Sequence, residues 1–180
     1  MNIETSKATK IILSDLRGYK LDPVTIFLED LEPRKGKITI ECYGESWSSY
    51  WGGMGDRTIA EFFVSCDDHY LAKNLSDIRS NVPDCEALDS WLKNTIIKSR
   101  RENDIEPDKA RELWDDVELF CSNDKDWLHG LENQRLCSEI IGDNWWYSLP
   151  TKLNPEYEYL TRVINAVRDA LRLITQKNAA

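Results

Sequence analysis

The chain has 180 residues, 41% hydrophobic and 31% charged, with a net charge of −9. Leu, Ile, Val and Phe make up about a quarter of it, enough for a folded core, and this excludes a disordered chain. No apolar run approaches the ~20 residues needed to span a bilayer, and Met1-Asn2-Ile3-Glu4-Thr5 lacks the basic and apolar regions of a signal peptide, so the expected setting is cytoplasmic, with no membrane partner.

The charge is unevenly spread. Residues 1–55 carry a net −1, residues 56–151 a net −10 and residues 152–180 a net +2. Over a Debye length of ~8–10 Å such an acidic middle repels phosphates, so direct nucleic-acid binding is not expected. Arg162, Arg168 and Arg172 near the end are too few to reverse that balance. Cys42, Cys66, Cys85, Cys121 and Cys137 are odd in number and never spaced C-x-x-C. They read as reduced thiols rather than a disulfide framework.

Three strands are expected first. Lys10–Leu13 is a short apolar run, and Val24–Glu29 is rich in β-branched and aromatic residues. Lys37–Tyr43 alternates, with Ile38, Ile40 and Cys42 on one face. Glu32–Gly36 between the last two is a polar turn of hairpin length. There follows a stretch of three large aromatics and three glycines, Trp47-Ser48-Ser49-Tyr50-Trp51-Gly52-Gly53-Met54-Gly55. It reads as a compact corner between sheet and helix, with Trp51 as the buried anchor and Trp47 and Tyr50 as the exposed pair.

Helices are expected from there on. Thr58 and Glu61 have capping-box spacing ahead of Phe62-Phe63, and Asp67 or Asp68 suits the cap of a short helix reaching towards Ile78. Pro83 fits the first turn of a helix striped by Cys85, Leu88, Trp91, Leu92 and Ile96. Pro107 opens another, striped by Ala110, Leu113, Trp114, Val117, Phe120 and Cys121. A further helix runs from about Asp124 to Ile141 and stops at Gly142. After a second aromatic connection, Asp143–Pro150, Asn154 and Pro155 open a last helix with Leu160, Val163, Ile164, Val167, Leu171 and Ile174 on its core face. The expected fold is therefore α+β, an N-terminal antiparallel sheet of about three strands followed by a mainly helical C-terminal half. It is expected to pack as one domain over 1–180, strand-rich to residue 57 and helical from 58.

Lys37–Gly44, the Trp47–Gly55 stretch, Thr58-Ile59-Ala60-Glu61-Phe62-Phe63 and Cys66-Asp67-Asp68-His69-Tyr70-Leu71 together resemble small accessory proteins of tailed phages and prophages, over roughly residues 36–75. The resemblance implies a gene product acting in an infected or lysogenic bacterium. It attaches no activity to any residue. Proteins of that class often bind host factors or blunt host defence, which is an analogy at the level of the class.

Cys66-Asp67-Asp68-His69 is the one short cluster with metal-binding or catalytic residue types. A buried cysteine followed by a helix-capping aspartate is the plain reading, with a metal site or a Cys–His pair as the sharper ones. Gly52-Gly53-Met54-Gly55 does not fit a phosphate-loop pattern. No catalytic residues, metal or cofactor are therefore assigned. Glu112, Asp115, Asp116 and Glu118 lie off the apolar stripe of their helix. They read as a solvated face or as a surface competing for a basic site. The expected function is binding to a host protein with a basic surface, extending to inhibition of a bacterial defence or nucleic-acid-processing system, with contacts from Trp47, Tyr50, Glu112, Asp115, Asp116 and Glu118. The alternative is a small enzyme or a ligand- or metal-binding domain using the aromatic-glycine stretch and Cys66/His69.

Overall fold

The computed structural model describes residues 1–3, 5–121 and 130–178. They form two compact units, residues 1–80 with 154–180, and residues 81–153. The architecture is α+β, with a four-stranded N-terminal sheet followed by mostly helical structure. Among the described residues no helix is long and apolar enough to cross a membrane.

The first unit is built on an antiparallel meander of β1 (Thr9–Leu13), β2 (Val24–Glu32), β3 (Lys35–Cys42) and β4 (Glu45–Trp51), in that spatial order. The sheet of about three strands has a fourth, β4, which occupies the start of the stretch expected as a corner beginning near Tyr43. The chain reverses in two residues, Tyr43 at φ 50° and Gly44 at φ 83°, a pair of positive φ values that matches the right-handed twist of the flanking strands. Asn-Gly is the familiar sequence for that turn, whereas here a tyrosine takes the first left-handed position. The register pairs Ile40 with both Ile26 and Trp47, and Gly36 with Trp51.

Strand alternation decides the burial of the aromatics. Trp47 and Trp51 point with Ile38 and Ile40 into the core and are 8% and 6% exposed, while Tyr50 faces the other way at 54%. Trp51 is thus the expected anchor, its ring 5.5 Å from that of Phe62. Trp47 is not exposed, contrary to expectation, because it sits on the core side of a strand rather than on a loop.

The corner itself is short. Met54 is buried and its backbone N–H donates to the Arg34 carbonyl at 2.9 Å. Of the three glycines only Gly55 takes a left-handed φ, at 67°. The tightest approach is instead at Gly36, where a Cβ would lie 2.8 Å from Met54 Cε and 2.9 Å from Ile59 Cβ. Helix α1 (Ile59–Ser65) then starts on the expected capping box, with the Thr58 N–H donating to Glu61 Oε2 at 2.8 Å. Asp30 Oδ1 on β2 adds a second acceptor, for the Ile59 N–H at 2.7 Å.

Helix α2 (Asp68–Leu75) is capped by Asp67, which accepts from the Tyr70 N–H at 2.8 Å. It ends at Leu75 rather than near Ile78. Ser76 is extended, and its hydroxyl takes the Ile78 N–H at 3.2 Å in competition with a further helical turn. Helix α6 (Pro155–Asn178) returns to complete the unit, with the Asn154 side chain accepting from the Glu156 N–H at 3.0 Å. Leu160, Val163, Ile164, Val167 and Leu171 are fully buried in the same core as Val24, Ile26, Ile38 and Ile40.

In the second unit β5 (Asn81–Pro83) pairs with β6 (Thr151–Leu153), two three-residue strands that no sequence pattern announced. Pro83 therefore belongs to a strand rather than to a first helical turn, and Asp84 caps α3 (Cys85–Arg101) through the Glu86 N–H at 3.2 Å. Helix α4 (Pro107–Cys121) begins at the expected proline, and α5 (Leu131–Ile141) ends before Gly142 as expected. Leu88, Leu92, Ile96, Leu113, Val117, Leu136 and Cys137 form the core of this unit. The expected start of the fifth helix near Asp124, and the side chains of Phe120 and Cys121, lie outside the described residues.

Truncating a buried Trp typically costs about 3–5 kcal/mol. Trp51→Ala is expected to lower the melting temperature by about 10 °C or more, and Trp47→Ala should also destabilise substantially. Gly36→Ala, which must displace Met54 and Ile59, should cost about 1–3 kcal/mol. Thermal denaturation followed by circular dichroism checks all three, and Tyr50→Ala serves as the neutral reference.

Candidate partner-binding surface

The helices of the first unit share one core with the inner face of the sheet, and the outer-face residues lie outside that core. On that outer face Lys10 aligns with Phe27, Thr39 and Ser48. Ile12 aligns with Thr25, Glu41 and Ser46, and Glu29 with Lys37 and Tyr50. Two lysines and two glutamates balance in charge. Ile12 and Tyr50 are exposed, and Phe27 is half-buried with the Lys10 ammonium 5.6 Å from its ring centre. Thr39 and Ser48 are joined across the strands by their hydroxyls at 2.9 Å. The result is a mixed, electrically balanced plane with an aromatic near its β4 edge.

Trp47 keeps one contact with solvent. With Ile78 and Tyr159 it lines a cleft of about 370 Å³ at the foot of α6, flanked by Glu45 and Glu156. The Tyr159 ring lies 6.1 Å from that of Trp47, and its hydroxyl donates to Cys42 Sγ at 3.2 Å. Burial, followed by the bond to Cys42, pushes the phenol up to about 12.

The four acidic residues on α4 do not act alike. Glu112 meets Lys109 at 2.9 Å, and Glu118 meets Lys93 at 3.2 Å while accepting from the Trp114 indole at 3.1 Å. The Lys93 bond, then the Trp114 bond, hold the Glu118 carboxyl below the usual carboxylate range. Asp115 is exposed and Asp116 half-buried, without an ion pair to a described residue. The structure thus places Tyr50 on the open sheet of one unit, with the four acids on a helix of the other.

Residues 66–69 are used in the fold. Asp67 caps α2. The Asp68 carboxylate is paired with the Arg168 guanidinium and receives the Asn165 amide at 3.3 Å. His69 Nδ1 lies 3.1 Å from the Tyr157 hydroxyl. Burial pushes the half-buried Cys66 thiol up, away from the thiolate that a nucleophile or metal ligand needs. Among the described residues no three His, Cys, Asp or Glu side chains gather to hold a metal ion. The basic residues of α6 are engaged as well. Arg172 meets Asp169 at 2.9 Å, and the Arg162 guanidinium lies 5.6 Å from the Tyr159 ring centre.

Sequence reasoning missed the outer-face residues Ile12, Phe27 and Lys37. The signal for them was the strand alternation that placed Ile38 and Ile40 inside, read for the opposite parity.

This is an α+β protein in which Asp67, Asp68 and His69 are engaged in a helix cap, an ion pair and a hydrogen bond. Residues 1–173 match a family described as a phage family, Phage_phiTE_072, and the chain belongs to that family. No curated protein and no solved structure matches it.

The Tyr159 environment gives a spectroscopic prediction. A phenol is neutral when protonated, and its ordinary value is 10.0. Raising it in the folded state adds stability that is fully present below pH 10 and is lost as pH rises towards 12. Absorbance titration at alkaline pH should show a tyrosine ionisation at about pH 12, and Tyr159→Phe should remove that step.

Proposed function

We propose that this phage-family protein works by binding another protein in the cytoplasm of the infected bacterium, with the open face of its sheet around Tyr50 as the contact surface. One observation carries the reading. A four-stranded sheet with helices on one face offers a balanced outer plane with an exposed aromatic on its edge strand β4. Aromatic side chains supply much of the energy of protein interfaces, and a plane without net charge imposes no electrostatic barrier on its partner. Inhibition of a host defence or nucleic-acid-processing enzyme is the role that fits such a protein in a phage.

A second surface has its own support. Residues 81–153 carry a net charge of −7, and Asp115 and Asp116 on α4 are not neutralised by a described lysine or arginine. A partner with a basic surface would be drawn to this unit, and its binding would weaken steeply with salt.

Affinity capture from infected or lysogenic cells with wild type, Tyr50→Arg and Asp115→Lys/Asp116→Lys distinguishes the two surfaces. The sheet reading expects one protein recovered by wild type and by the aspartate variant and lost with Tyr50→Arg, at unchanged melting temperature. A partner lost only with the aspartate variant transfers the contact to α4. Capture indifferent to both variants, or no reproducible partner, would overturn the proposal.

A further inference from the structure

Residues 81–153 hold nine basic and sixteen acidic groups, yet three of the nine basic ones surround a single groove. The groove lies along α3 and α4 beside the turn that joins them, and its volume is about 570 Å³. Small-ligand sites commonly fall between ~300 and 1,000 Å³. Ile96, Ile97, Ala110 and Trp114 give it an apolar lining. Arg100, Arg101 and Arg111 stand around it, and Asp115 is the single acid among its lining residues.

The three arginines differ in freedom. Arg100 Nη1 is turned towards Asn103 Oδ1 at 3.4 Å and the Ile105 carbonyl at 3.5 Å, contacts that steady the turn. Arg101 and Arg111 are exposed and make no ion pair with a described residue. Two guanidinium groups that make no ion pair with a described residue, beside an apolar lining, match a ligand that carries both an anion and an oily body, because guanidinium forks recognise carboxylate and phosphate oxygens in pairs.

The surroundings narrow the size of that ligand. A long acidic chain would extend from the groove over a unit with a net charge of −7 and be repelled. A compact anion stays beside the arginines, and acid beyond a Debye length of ~8 Å is screened from it. We infer that this groove is a binding site for a small amphipathic organic anion, an apolar or aromatic body bearing one carboxylate, sulfonate or phosphate. The site belongs wholly to the second unit, and its reading does not depend on how the sheet surface of the first is used.

The test is a fluorescence titration of the full chain with 8-anilinonaphthalene-1-sulfonate, an aromatic body with one anionic group. Saturable binding to native protein is expected. Arg101→Glu and Arg111→Glu should each weaken it by roughly tenfold or more, with the circular dichroism spectrum and melting temperature unchanged. Arg111→Lys should retain part of the affinity. The uncharged relative N-phenyl-1-naphthylamine should bind less tightly and ignore both charge reversals. Should Arg111→Glu fail to fold, Arg101→Glu at the exposed end of α3 carries the test alone. Equal dye affinity in wild type and the reversal variants, or no saturable binding, overturns the inference. So does displacement by polyglutamate at concentrations below those at which the dye itself saturates, since the groove would then be reading charge without an apolar body.

Discussion

The first unit depends on the burial of one apolar sheet face beneath three helices. Val24, Ile26, Ile38 and Ile40 alternate inward along β2 and β3, and the fully buried stripe of α6 from Leu160 to Leu171 shares their core. At about 25 cal/mol per Å² of apolar surface, removing those side chains from water is the main favourable term available to a unit of this size. Helices α1 and α2 close the remaining sides through Phe62, Phe63 and Leu71. Much of the polar detail fixes those helices in place. The Asp30 bond to the Ile59 N–H ties α1 to the sheet, and the Asp68–Arg168 pair ties α2 to α6. An ion pair of this kind adds little net stability against desolvation, but breaking one partner leaves the other charge stranded, so it specifies the arrangement.

The same alternation makes the outer surface. Each inward residue of β3 and β4 has an outward neighbour, so burying Trp47 and Trp51 puts Tyr50 in solvent. The outward set is electrically balanced, whereas the acid of the chain is concentrated in residues 81–153. Two surfaces of different chemistry therefore belong to one small protein. Acidic residues in the second unit are not uniformly available, since lysines at 93 and 109 take up Glu118 and Glu112.

Local signals carried much of the fold into the sequence. The capping box at Thr58, the Asn154–Pro155 start and the stop at Gly142 each need only a few neighbouring residues and are read correctly from them, and similar local signals narrow the cap of α2 to Asp67 or Asp68. What escaped lacked a local signature. Strand β4 contains Ser-rich sequence and follows a Tyr-Gly turn, so it resembled a loop. Had its period of two been recognised, Trp47 and Tyr50 would have parted to opposite faces. Strands β5 and β6 are three residues each, too short for any period, and exist only because two distant segments meet. The arginine-lined groove was equally hidden, since Arg101 and Arg111 come together across a turn within a chain whose overall charge points the other way.

The placement of α6 bears on how the chain is made. The sheet is complete at Trp51 and α1 and α2 follow it directly, but α6, the third helix of the same core, leaves the ribosome about a hundred residues later. Residues 81–153 are contiguous and have their own core, so they have every contact they need before the first unit does. Nascent β1 to β4 must wait in a partly uncovered state, with an apolar face open to chaperones or to another nascent sheet. The delay ends when Asn154 binds back to the carbonyls of Arg79 and Ser80, at 2.9 Å each, and sets α6 on its course across the strands. Synthesis rate and chaperone supply then matter to the folding of the first unit beside the stability of the finished protein.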